Sequence, residues 1–301
     1  MRKPKVTIGK HSGFCFGVKR AYDLACVNSK DCDKLYILGK LVHNDDVCRD
    51  LKKRGVKEIK SLDEAKEGTV IFTAHGVGPG LYKKVSAKGF KVIDTTCPKV
   101  VKAQRLAKNC AGKGWQVLIF GDKEHKEVKG IREWSKNKAK IVGSLAEAKK
   151  IKLDKKKKYC LISQTTQNVS EFKKVKNFLS KNLTDFAYYN TICDSTDNRQ
   201  GEVRALAKSN DLVVVVGGSD SANSRRLFEI AKDLNSCAYF IENVRQFKKE
   251  WLKNAQKIAI SAGASTPEWA IQDVVAFIES QPLTRNRTGA RMTKAKTKHN
   301  Q

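Results

Sequence analysis

Three of the nine cysteines in this 301-residue chain share a setting that the other six lack. Cys15, Cys97 and Cys193 each follow a short β-branched run and precede a helical pattern. His43, His75 and His125 stand in the same kind of place, as do Thr165 with Thr166, Ser221 with Asn223, and Ser265. The spacing repeats: His43 lies 28 residues after Cys15, His125 lies 28 after Cys97, and Ser221 lies 28 after Cys193. A third position follows the cysteines at 60, 68 and 72 residues, filled by His75, Thr165 and Ser265. Structural zinc takes four ligands, commonly from Cys-x-x-Cys pairs, and no such pair occurs here. Three thiolates suit instead a cubane iron–sulfur cluster in which one iron lacks a protein ligand. An open coordination position marks a catalytic metal rather than a purely electron-carrying one.

The remaining residues of the set are polar, and most are neutral hydrogen-bond donors. Hydroxyls, an amide and imidazoles next to helix N-termini suit a phosphate cage. Glu127, two residues past His125, is the acidic residue that accompanies this set. A carboxyl in a dry cavity beside a cluster is a natural proton donor, its pKa raised by burial. His11 and His299 lack this context and are read as ordinary histidines. Cys26, Cys32, Cys48, Cys110, Cys160 and Cys237 are read as structural thiols.

Elements must bring these residues together. Strand patterns occupy 5–9, 35–38, 69–73, 91–94, 116–120, 159–163, 186–192, 211–216 and 257–261. Helical patterns lie between them at 18–27, 45–53, 99–110, 199–209, 224–234 and 267–278. Strands such as the apolar LVVVV at 212–216 read as parallel strands covered on both faces. The alternation predicts an α/β fold, in which ligands bind beyond the carboxyl ends of the strands. A repeat of about ninety residues predicts three pseudo-equivalent α/β domains with mainly parallel sheets around a central cluster-binding cavity. The expected units are 1–97 (Cys15, His43, His75), 98–193 (His125, Glu127, Thr165, Thr166) and 194–282 (Ser221, Asn223, Ser265). A basic, disordered tail is expected at 283–301.

Bulk properties narrow the class. No apolar run approaches the roughly 20 residues a bilayer requires, and the N-terminus lacks the apolar core of a signal peptide, so a cytoplasmic protein is expected. The charge is lopsided, with 60 Lys and Arg against 31 Asp and Glu, a net +29. Such an excess attracts polyanions, and nucleic acid is one candidate partner, through the basic tail. Aromatic residues are only 8% of the chain, and no groove-reading or RNA-stacking motif accompanies the charge.

The motifs together resemble the IspH/LytB family of 4-hydroxy-3-methylbut-2-enyl diphosphate reductases. They are Gly13-Phe14-Cys15-Phe16-Gly17-Val18, Val42-His43-Asn44, Ala74-His75-Gly76-Val77, Asp94-Thr95-Thr96-Cys97-Pro98 and His125-Lys126-Glu127-Val128. Gln164-Thr165-Thr166, Cys193 with Asn198-Arg199-Gln200, Ser221-Ala222-Asn223-Ser224 and Ala262-Gly263-Ala264-Ser265 complete them. The resemblance runs from about residue 7 to residue 280. It implies a 4Fe–4S cluster on Cys15, Cys97 and Cys193, with the substrate hydroxyl at the fourth iron. Two electrons and two protons would remove that hydroxyl as water, giving isopentenyl and dimethylallyl diphosphate. It further implies that Glu127 relays protons with His125 and Thr166, and that His43, His75, His125, Thr165, Ser221, Asn223 and Ser265 hold the diphosphate. A ferredoxin or flavodoxin would be the electron donor. The chain departs from the family in Ala222 where Ser is usual, in Lys126 where Pro is common, and in Lys129 where Glu is common. A backbone N–H could still serve in place of the missing hydroxyl, and Ser224 is close. Quinolinate synthase, also built of three α/β domains around a three-cysteine cluster, is the rival reading, and the wording of the motifs favours the reductase.

Overall fold

The computed structural model of the chain describes residues 4–281. Twelve strands form three four-stranded sheets, and all the pairings are parallel. The first runs β3 (Lys57–Ile59), β2 (Leu35–Leu38), β4 (Thr69–Phe72), β5 (Lys91–Asp94). The second runs β7 (Lys140–Val142), β6 (Gln116–Phe120), β8 (Tyr159–Ser163), β9 (Phe186–Tyr189). The third runs β11 (Ala238–Ile241), β10 (Leu212–Val216), β12 (Lys257–Ala262), β1 (Lys5–Ile8). One strand order is thus used three times, which is the structural content of the sequence repeat.

Ten helices cover the sheets. They are α1 (Phe16–Asp31), α2 (Asp45–Lys53), α3 (Pro79–Ala87), α4 (Pro98–Gly112), α5 (Lys126–Trp134), α6 (Leu145–Lys150), α7 (Val169–Asn182), α8 (Asp194–Ser209), α9 (Ala222–Leu234) and α10 (Glu268–Ser280). Successive strand residues point to opposite faces, so each apolar strand feeds two cores. Leu212, Val214 and Val216 of β10 pack with Ile258, Ile271 and Val274. Val213 and Val215 pack on the other face with Val203, Leu227 and Ala259. The outer sheets do the same: Val70 and Phe72 of β4 enter one cluster, Ile71 the other. Each such side chain contributes about 1.5–3 kcal/mol on leaving water, which fixes the framework that carries the polar strand ends.

Two expectations need correction. The unit 1–97 assigned the first strand to the first sheet, whereas β1 lies against β12, with Lys5 to Ile8 opposite Lys257 to Ile260. Glu202 of α8 secures this placement by accepting hydrogen bonds from the backbone N–H groups of Lys10 (2.6 Å) and His11 (3.0 Å). Cys15 therefore closes the third unit instead of opening the first. The sequence also predicts nine strands, and the three overlooked ones, β3, β7 and β11, occupy the same outer position in each sheet. β3 and β7 have three residues each and begin with lysine, too short for any apolar alternation to register. The tail at 283–301, including the nucleic-acid reading placed on it, lies outside the described residues. Among the described residues, no helix is long and apolar enough to cross a membrane.

Candidate active site

The carboxyl ends of the strands face one cavity, and all twelve residues singled out in the sequence line it. The first sheet delivers His43, His75 and Cys97, the second His125, Thr165 and Cys193, the third Ser221, Ser265 and Cys15. The same backbone bond positions each cysteine. Cys97 N–H donates to the Ala74 carbonyl (3.0 Å), Cys193 N–H to that of Thr165 (2.9 Å), and Cys15 N–H to that of Ala264 (3.1 Å).

Each cysteine is also the N-cap of a helix: Cys15 of α1, Cys97 of α4 and Cys193 of α8. An N-cap side chain ordinarily accepts from the free N–H groups of the first turn. None of these three makes such a bond, so the thiols are left to other partners while three positive helix ends converge behind them. Burial pushes the Cys97 thiol up, the Lys99 and Val100 amides pull it down, and Cys15 and Cys193 push it up again. The sulfurs of Cys15 and Cys193 thus stand near enough to that of Cys97 to oppose its ionisation. Among the described residues, no three His, Cys, Asp or Glu side chains are grouped tightly enough for a single metal ion. The convergence is around a wider space.

The imidazoles form a triangle, with ring centroids 5.0 Å apart for His43 and His75, 5.6 Å for His75 and His125, and 6.3 Å for His43 and His125. Burial lowers the basicity of all three, that of His75 well below the ordinary value and that of His125 to about 4. Neighbouring positive charge adds to the effect, Lys126 acting on each ring. At neutral pH the cage is therefore uncharged. It is also unsatisfied: His43 Nδ1 and Asn223 Nδ2 are buried without a hydrogen-bond partner. A buried donor without an acceptor costs about 1–3 kcal/mol, so these atoms await an oxygen-rich ligand. Ser221 caps α9 through Ser224 N–H (3.3 Å), and Ser265 Oγ donates to the His43 carbonyl (3.4 Å). Ser224 does not stand in for the hydroxyl lost at Ala222. Its Oγ packs against the backbone of Gly217 and Gly263.

Glu127 is buried in the first turn of α5. Its Oε1 accepts from Thr165 N–H (2.7 Å) and its Oε2 from Thr165 Oγ–H (2.8 Å). Those two bonds favour the carboxylate, but desolvation outweighs them and raises the carboxyl to about 7. The side chain can thus hold a proton near neutrality. The hydroxyl bonded to it is that of Thr165. Thr166, expected to serve this carboxyl, instead accepts from Gln164 Nε2 (2.9 Å). His125 caps α5, its Nδ1 accepting from Glu127 N–H (3.2 Å). That bond leaves the other ring nitrogen as the protonated one.

Two residues that the sequence left without a role support the site. Gln164 is fully buried and binds the β6 loop by accepting from Asp122 N–H (2.9 Å). Arg199 is buried near Cys15 and Cys193, and its Nη2 donates to the Gly13 carbonyl (2.7 Å). A buried guanidinium there offsets negative charge gathered on the thiols and ties α8 to the loop that carries Cys15. Its signal in the sequence is an arginine six residues past Cys193. The other six cysteines do not line the cavity. Cys110 and Cys160 are buried in one core cluster, while Cys237 is exposed and so is not a buried structural thiol.

Residues 6–279 match the family model described as LytB protein. Relatives include the 4-hydroxy-3-methylbut-2-enyl diphosphate reductase of Geobacter metallireducens, 38% identical over 274 residues, 91% of this chain and 96% of that protein. The reductase of the same name from Clostridioides difficile is 36% identical over 277 residues, 91% of this chain and 99% of that one. Among solved structures, the fold is similar to that of E-1-hydroxy-2-methyl-but-2-enyl-4-diphosphate reductase from Plasmodium falciparum, with a TM-score of 0.88, 28% identity, and 94% and 90% of the two chains covered. A second structure, of (E)-4-hydroxy-3-methyl-but-2-enyl diphosphate reductase, the terminal enzyme of the non-mevalonate pathway, aligns at a TM-score of 0.69 with 36% identity, over 92% of this chain and 99% of that one. With the family model spanning nearly the whole cavity-bearing region, the chain belongs to the LytB protein family.

Proposed function

We propose that this chain is a 4-hydroxy-3-methylbut-2-enyl diphosphate reductase. It removes the substrate hydroxyl with two electrons and two protons, yielding water and either isopentenyl or dimethylallyl diphosphate. The observation that carries the reading is the single cavity joining three uncapped thiols, a buried carboxyl raised to about 7, and unsatisfied neutral donors. The same cavity provides redox, acid and phosphate-binding groups, and this reaction uses all three.

A 4Fe–4S cluster fits the donor set, with Cys15, Cys97 and Cys193 as its ligands. Three thiols too dispersed for one ion, each at a helix N-terminus and with Arg199 beside two of them, suit a larger anionic group. Bound there, such a cluster supplies electrons and a Lewis-acidic iron without a protein ligand. The chain's own residues do the rest. His43, His75, His125, Ser221, Asn223 and Ser265 donate to the diphosphate oxygens and so orient the allylic hydroxyl. Glu127 holds the proton that leaves with the hydroxyl, and Thr165, whose N–H and Oγ–H donate to the carboxyl, positions it at the cavity wall. Gln164 steadies Thr166 at the wall. A ferredoxin or flavodoxin delivers the electrons singly in the cytoplasm.

The test is anaerobic incubation of reconstituted protein and a one-electron reductant with 4-hydroxy-3-methylbut-2-enyl diphosphate or with the precursors of quinolinate. Isopentenyl and dimethylallyl diphosphate should appear with two electrons consumed per molecule formed. Turnover of the quinolinate precursors alone would refute the assignment.

Gly17, in the first turn of α1, gives an independent check on the ligand set. A Cβ there would lie 2.6 Å from Cys97 Sγ. Helix propensity favours Ala over Gly by about 1 kcal/mol, so Gly17→Ala should leave folding intact yet displace the thiol. The expected outcome is less than half the wild-type iron after reconstitution, with unaltered far-UV circular dichroism. Full iron occupancy in this variant would contradict a ligand role for Cys97.

A further inference from the structure

The neutral cage leaves a question of charge. A diphosphate brings two to three negative charges, and the residues placed to hold it are imidazoles held neutral, hydroxyls and an amide, while the lining cation Lys99 is already paired with Asp194 (2.8 Å). Lys126, just outside the lining, lies close enough to act on all three rings. It occupies the first position of α5, immediately after His125. A cation at a helix N-terminus opposes the macrodipole. Its surroundings add to the conflict, because Lys40 and Arg225 also lie close enough to depress His43. Lys40 is paired with Asp45 (2.8 Å) and Asp220 (3.7 Å). Among the described residues no carboxylate lies within ion-pair distance of Lys126, although its neighbour in sequence on the same turn, Lys129, is paired with Glu124 (2.7 Å). A local rule broken without a compensating partner marks a place where a ligand completes the balance.

The reach of the side chain says where. Lys126 is exposed, and it extends from the second unit to the turn after β2 in the first. Its Nζ stands 2.8 Å from the point a Cβ on Gly39 would occupy. Gly39 has φ +77°, a conformation that already favours glycine, and the absent side chain leaves the ammonium room. That turn leads directly into Leu41, Val42 and His43, so the ammonium bridges the seam between the two units whose histidines form the triangle.

We propose that Lys126 is an additional diphosphate-binding residue of this chain, its ammonium closing the uncharged cage at the seam between the first and second units. The inference rests on the reading of the cavity as a diphosphate site and adds to it the exposed cation of the His-Lys-Glu turn. Electrostatic capture by an exposed ammonium is screened by salt, which separates this role from a steric one.

Reconstituted holoenzyme is titrated with inorganic pyrophosphate, and KM and kcat are measured for the allylic diphosphate, at low and high ionic strength. Wild type, Lys126→Gln and Lys126→Arg are compared. Lys126→Gln should bind pyrophosphate roughly tenfold more weakly at low salt, as expected for loss of a charged hydrogen bond, and the gap should narrow at high salt. KM should rise by a similar factor with kcat moving far less, and Lys126→Arg should recover most of the affinity. Equal pyrophosphate affinity for wild type and Lys126→Gln at low salt would overturn the inference, as would an Arg variant as weak as the Gln one. If wild type neither binds pyrophosphate nor turns over the allylic diphosphate, the reading of the whole cavity fails with it, an outcome separable from failure of the lysine alone.

Discussion

Glu127→Gln is expected to lower kcat by about 10²–10⁴-fold, the usual contribution of a positioned general acid, while the iron content stays at the wild-type level. Gln keeps the size of the side chain and can still accept from Thr165 N–H, so the first turn of α5 should hold. What it loses is the exchangeable proton. Because burial raises this carboxyl to about 7, wild-type kcat should fall as pH rises through about 7. That limb should be missing from the profile of the variant. The sign for stability is the opposite of the usual carboxylate case. The folded state keeps a proton that the unfolded chain releases near its ordinary pKa, so stability falls between that value and about 7 and levels off above. Glu127→Gln should flatten this part of the curve as well. Turnover within threefold of wild type would transfer the proton to another group, and the neutral His125 beside it would be next to test.

Cys97→Ala should abolish turnover and remove most of the iron. Cys97 is the N-cap residue of α4, and no spare thiol lines the cavity to replace it. Cys237→Ser, at an exposed thiol remote from the cavity, is the control and should retain full iron and full rate. Iron per chain, the visible spectrum and turnover are measured side by side. A Cys97→Ala protein with wild-type iron and rate would remove the three-thiol centre from consideration.

Much of this site is legible in the sequence because its chemistry sits at strand ends, and strand ends are marked by short apolar runs. The parallel architecture follows from the same runs, of which LVVVV is the plainest. What the spacing of Cys15, Cys97 and Cys193 could not supply was phase. A repeat fixes a period but not where a unit begins, and the expected unit 1–97 placed near its head a residue, Cys15, that the structure places at the close of the third unit. The outer strands β3 and β7 escaped notice for another reason: backbone pairing with a neighbouring strand holds them, and three residues leave no pattern. β11, with its Ala-Tyr-Phe-Ile, did carry a readable signal. Arg199 and Gln164 stood inside recognisable motifs, yet their roles depend on burial beside groups distant in sequence. The pairing of Glu127 with Thr165 likewise depends on partners distant in sequence, since both threonines line the cavity but the Thr165 hydroxyl bonds the carboxyl and that of Thr166 accepts from Gln164.

The pairing of the first strand with the last has a consequence for how the molecule is made. Lys5 waits for Lys257, and a ribosome adding about 5–20 residues per second needs some tens of seconds to produce it. Through that interval the leading segment has no sheet to join, and Cys15 cannot take its station. Two of the three cavity thiols can be in place while the nascent chain is still growing. A metal centre built on all three thiols, as proposed above, would therefore belong to the finished polypeptide, and its insertion would be a post-translational event that reports completion of the entire ring.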